Sequence, residues 1–65
     1  MTNHEMLAFL YENGPCTHID IDFEFGCGLG RVSVIAHRLM LSGLLDYEPE
    51  AGLFSYREGA WVAQP

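Results

Sequence analysis

Residues Thr17–Gly26 read "THIDIDFEFG", and two structures compete for them. Ile19, Ile21, Phe23 and Phe25 alternate strictly with Asp20, Asp22 and Glu24, which is the period of a half-buried strand. The same stretch opens on a threonine able to cap a helix, carries Asp in its first turn and closes on a glycine able to end one. In a helix, Ile21 and Phe25 share one face while Ile19 and Phe23 share nearly the opposite one, each pair four residues apart. One pair can then enter the core and leave the other near the surface; Ile21 and Phe25 are expected to face the core, with Ile19 and Phe23 more exposed.

The flanking sequence separates the two possibilities. As a strand, the stretch would run into "GCGLGR", a glycine-rich loop before a helix, the order found in nucleotide-binding units. A dinucleotide fingerprint needs glycines spaced G-x-G-x-x-G, each with its own task, whereas Gly26, Gly28 and Gly30 are spaced G-x-G-x-G and no second unit follows. A phosphate-binding loop also wants a lysine, and the chain has none. No nucleotide and no other cofactor is expected.

On either side the elements are clearer. Thr2 and Glu5 have capping-box spacing, Met6, Leu7, Phe9 and Leu10 supply apolar faces, and Gly14-Pro15 is a stop, so a helix is expected over about 2–13. A second, short helix would then occupy about 17–25. Over about 29–43, Val32, Ile35, Ala36, Leu39 and Gly43 fall on one stripe at 100° per residue. Arg31, Val34, Arg38 and Leu41 fall on the far side, flanked by Ser33 and His37. Beyond Gly43 the period changes, and "PEAG" around Pro49 and Gly52 signals a turn within a hairpin over about 44–62.

Composition limits the function classes. The 65 residues make one small domain with 49% hydrophobic content, enough for a compact core near the lower size limit. Three Arg oppose nine Asp plus Glu, and the net charge of −6 repels polyanions at long range. No apolar run reaches the length of a membrane span and no secretory signal pattern opens the chain, so a cytoplasmic protein with no membrane partner is expected. Cys16 and Cys27 are then expected as reduced thiols. Cys16, His18, Cys27 and His37 include metal-ligand types, but their spacing matches no compact zinc knuckle, and no metal is expected. A Cys and His dyad needs a pocket and an orienting third group, for which a domain this small has little room, so no catalytic residues and no enzyme activity are expected. Asp20, Asp22 and Glu24 alternate rather than converge.

The order of elements, with "NGPCT", "FEFG", "GRVSVIAHRLMLSGLLDYEPEAG" and "LFSYREG", resembles the winged helix-turn-helix family over about residues 2–62. The resemblance implies an α+β, mostly α fold, three helices followed by a β-hairpin wing, and it takes Thr17–Gly26 as the short second helix. It also implies a small DNA-binding regulator, transcriptional or of a mobile element, whose third helix enters the major groove of double-stranded DNA. Arg31, Ser33, Val34, His37 and Arg38 would face the bases, with Arg57 as a wing contact to phosphate. All three arginines fall on this helix or in the hairpin. Three phosphate contacts give a salt slope of only about −2.7, which points to a homodimer or a partner if binding is to be firm. The competing expectation is an acidic protein-interaction module, an adaptor, inhibitor or DNA mimic, on the same scaffold. It would use Ile19, Phe23, Val34, Leu41 and Trp61 as apolar contacts.

Overall fold

Thr2 starts the first helix by a reciprocal pair of hydrogen bonds. In the computed structural model, which describes residues 1–57, the Glu5 backbone N–H donates to Thr2 Oγ1 at 3.1 Å and the Thr2 N–H donates to Glu5 Oε1 at 2.8 Å. The backbone bond from Thr2, followed by the bond to its side chain, holds the Glu5 carboxyl below its ordinary value. Helix α1 spans Asn3–Asn13 and buries Met6, Leu7 and Leu10. It stops at Gly14, whose φ of 80° is a conformation that side chains resist.

The stretch that decides the fold is helical: α2 spans His18–Phe25. Thr17 and Asp20 repeat the capping box, with N–H···O distances of 3.1 and 3.2 Å. Gly26 closes α2 in the left-handed conformation, φ 62° and ψ 28°. Ile21 is fully buried and Phe25 packs half-buried, edge-on to Phe9 at 5.5 Å between ring centroids. Ile19 and Phe23, paired on the other face by their four-residue spacing, are 70% and 90% exposed, as expected for the helix. Strict alternation misleads here because a step of four is a multiple of two. A period-two pattern therefore also sets i, i+4 pairs on opposite helix faces.

Helix α3 spans Leu29–Leu41 and buries Val32, Ile35, Ala36 and Leu39 against the other elements. It ends two residues before the expected boundary at Gly43. Gly43 lies outside the helix with φ 76°, its N–H donating to the Met40 carbonyl, while the Leu44 N–H donates to the Leu39 carbonyl, each at 3.0 Å. This paired closure reverses the chain, so Gly43 terminates the buried stripe instead of belonging to it.

The hairpin consists of β1, Leu45–Glu48, and β2, Leu53–Tyr56, antiparallel with Leu45 opposite Tyr56 and Glu48 opposite Leu53. The expected hairpin over 44–62 is thus found as strands within 45–56. Its final part, with Trp61, lies outside the described residues. Cys16, between α1 and α2, exchanges two backbone hydrogen bonds with Phe54, at 2.9 and 2.7 Å. β2 is therefore paired on both sides and anchors the hairpin to the helices, while Leu45 and Phe54 turn inward to close the core. Both thiols are free, and burial, then the Asp20 charge, pushes the Cys16 thiol up.

Three helices followed by a two-stranded antiparallel hairpin, mostly helical, make an α+β fold with the layout of a winged helix. Among the described residues no helix is long and apolar enough to cross a membrane.

Candidate nucleic-acid interface on the third helix

The turn between α2 and α3 sets where α3 points. Asp22, in the last turns of α2, reaches over Gly26 and Cys27 so that its Oδ1 accepts the Gly28 N–H at 2.6 Å. Gly28 is the N-cap of α3 with φ 93°, and no side chain caps the helix there. The Asp22 carboxylate therefore stands at the positive end of the α3 dipole.

With Val32, Ile35, Ala36 and Leu39 inward, the rest of α3 is exposed. Val34 and Leu41 lie near the middle of the outward side, 46% and 76% exposed. Arg31 and Arg38, two turns apart, form one flank of that side. Ser33, His37 and Met40 form the other, toward the hairpin. Arg31, Ser33, Val34, His37 and Arg38 therefore share one accessible surface, as the periodicity predicts.

Charge is distributed unevenly over this small molecule. Helix α3 carries two arginines and no carboxylate, whereas α1 holds Glu5 and Glu12, α2 holds Asp20, Asp22 and Glu24, and β1 holds Asp46 and Glu48. Among the described residues no carboxylate lies within ion-pair distance of Arg31 or Arg38. Arg57 differs. It sits at the base of the hairpin, immediately after β2, rather than at its tip, and donates from Nη2 and Nε to Asp46 Oδ1 at 2.8 and 3.3 Å. That hydrogen bond and charge push the Arg57 guanidinium up. Both side chains are about half exposed, so water screens the pair and the guanidinium is matched without being locked. The hairpin tip carries Glu48 and Glu50 and no cation, which leaves it unsuited to phosphate.

A groove of about 240 Å³ separates α3 from the hairpin, walled by Ser33, His37 and Met40 on one side and His18 and Tyr47 on the other, with Phe54 between. His18 meets Phe54 edge-on at 4.6 Å, and Tyr47 lies tilted over Phe54 at 4.7 Å. These contacts tie the hairpin to the first turn of α2, across the groove from α3. The groove is smaller than the roughly 300–1,000 Å³ of clefts that enclose small molecules. His18 was not among the residues predicted for this surface. No local signal in the sequence marked it, because its meeting with Phe54 depends on how α2 packs against the hairpin. Among the described residues no three of His, Cys, Asp or Glu converge where a metal ion could be held.

Comparison with protein-family models, with curated proteins and with solved structures finds no match for this chain.

Proposed function

We propose that this chain is a small DNA-binding regulatory protein of the winged helix-turn-helix kind, acting in transcription or in control of a mobile element. In this reading α3 lies in the major groove. One observation carries the reading: α3 alone among the three helices lacks a carboxylate, and its two arginines stand on an open face without an anionic partner among the described residues. In a chain of net charge −6, this is the surface from which a phosphate backbone is repelled least.

The chemistry follows from the residue types. Arg31 and Arg38 are separated by about 10 Å of helix rise, which matches roughly three base steps along a strand. Each can grip a guanine edge through two N–H groups or pair with a phosphate. Ser33 and His37 supply hydrogen-bonding groups on the hairpin side, and Val34 between the flanks suits a thymine methyl. Arg57 joins only after exchanging Asp46 for a phosphate. Two or three cations support a salt slope of only about −1.8 to −2.7 per monomer, so firm binding calls for two copies on one site.

Fluorescence anisotropy with labelled, pooled genomic fragments at low salt tests this directly. The wild type should bind, Arg31→Ala with Arg38→Ala should weaken binding about tenfold or more, and the slope of log affinity against log salt should flatten by about 1.8 per monomer. Absence of wild-type binding, or equal binding by the double variant, would remove the proposal.

A further inference from the structure

We infer that the outward face of α2 is a docking surface for a protein partner that offers an apolar pocket rimmed by lysine or arginine. This inference stands independently of DNA binding by α3.

Four of the eight residues of α2 are large and apolar, and two of these contribute little to the fold: Phe23 is 90% and Ile19 is 70% exposed. They lie four residues apart and so project side by side, opposite Ile21 and Phe25. Scattered surface hydrophobes are ordinary, but an adjacent Phe and Ile on one turn form a two-point anchor of the kind that helices insert into grooves. Asp20 and Glu24 follow them at the next positions, also exposed and also four apart. The face is therefore an apolar row beside an acidic row.

This arrangement selects the occupant. A second copy would set the carboxylates of Asp20 and Glu24 against their own images, in chains that already carry −6 each. The area is also too small for a dimer. One Phe and one Ile bury on the order of 300 Å², whereas a stable interface takes about 800 Å² from each partner. An anchor this small is effective in a deep pocket, where one aromatic side chain can dominate the binding energy. An anionic membrane or a nucleic acid would be repelled by the same carboxylates. Basic residues around an apolar pocket satisfy both rows.

The probe is a synthetic helical-hairpin peptide of leucine and lysine, whose leucine-lined groove between its two helices is rimmed by lysine, with its leucine and glutamate counterpart as control, followed by NMR of the full chain. The lysine peptide should shift the amide signals of Ile19, Asp20, Phe23 and Glu24, and the glutamate peptide should not. The double variant Ile19→Ser and Phe23→Ser keeps every charge and should bind the lysine peptide about tenfold more weakly, with its circular dichroism melt retained because neither side chain is in the core. Equal binding by this variant would reduce the effect to general charge attraction and overturn the proposal. So would shifts confined to α3 or the hairpin. Sedimentation showing a dimer that Phe23→Ser abolishes would assign the face to a second copy and likewise overturn it. The two surfaces fail separately. Ile19→Ser with Phe23→Ser should leave DNA binding intact, and Arg31→Ala with Arg38→Ala should leave peptide binding intact.

Discussion

Asp22 positions a helix to which it does not belong. Its carboxylate receives the Gly28 N–H at 2.6 Å across a turn of small residues, so the entry of α3 depends on a side chain from α2. Both ends of the bond are near solvent, and water can replace the lost acceptor. Asp22→Ala should therefore cost only about 1 kcal/mol in urea unfolding, with Asp22→Asn recovering much of it. A loss below about 0.3 kcal/mol would mean that the bond contributes nothing net. The two capping boxes were legible in the sequence because each is a threonine with an acid three residues later. Asp22 was not, because its partner lies beyond a glycine whose backbone angles decide whether the N–H turns back or away.

Among the elements, the glycines around α3 do opposite things, and substitution separates them. Gly26 has φ 62° with open space around the position of a side chain, so Gly26→Ala meets no clash and loses only the left-handed conformation, at about 1 kcal/mol. Gly30 lies within the first turn of α3, also in open space. There alanine favours the helix, and Gly30→Ala should stabilise by about 0.5 kcal/mol. In a domain of this size the melting temperature should fall by roughly 4–8 °C in the first variant and rise by a few degrees in the second. A fall in both would overturn the expectation that alanine at position 30 favours the helix. The element type of Thr17–Gly26 was open from its alternation alone. The order of the elements around it favoured the helix, and the structure shows the capping box and the glycine stop that satisfy the backbone groups a helix leaves unpaired at its ends.

For the molecule as a whole, salt is expected to act on stability and on the proposed DNA binding with opposite signs. A net charge of −6 on 65 residues makes the folded state repel itself, and salt screens that repulsion over a Debye length of about 10 Å at 0.1 M. Raising NaCl from about 0.02 M to about 0.5 M should raise the melting temperature by several degrees. Under the proposed function, the same change should weaken binding to DNA through counterion release. A melting temperature that falls over this range would show that attractive pairs such as Arg57–Asp46 outweigh the repulsion.

The amino-acid sequence by itself determined where the helices and the hairpin turn lie, and which stripe of α3 is buried. Caps, glycine stops and apolar periods act between residues no more than about four apart, where chain geometry dictates who meets whom. Only the tertiary structure decided that Cys16 pairs with Phe54, that Arg57 sits at the hairpin base with Asp46, and that His18 closes the groove beside α3. These partners lie far apart along the chain, and their meeting depends on the angles at which whole elements pack, which no local pattern encodes. The exposure of Ile19 and Phe23 belongs to both levels. Helical spacing put them on one face, and packing chose the other face for the core.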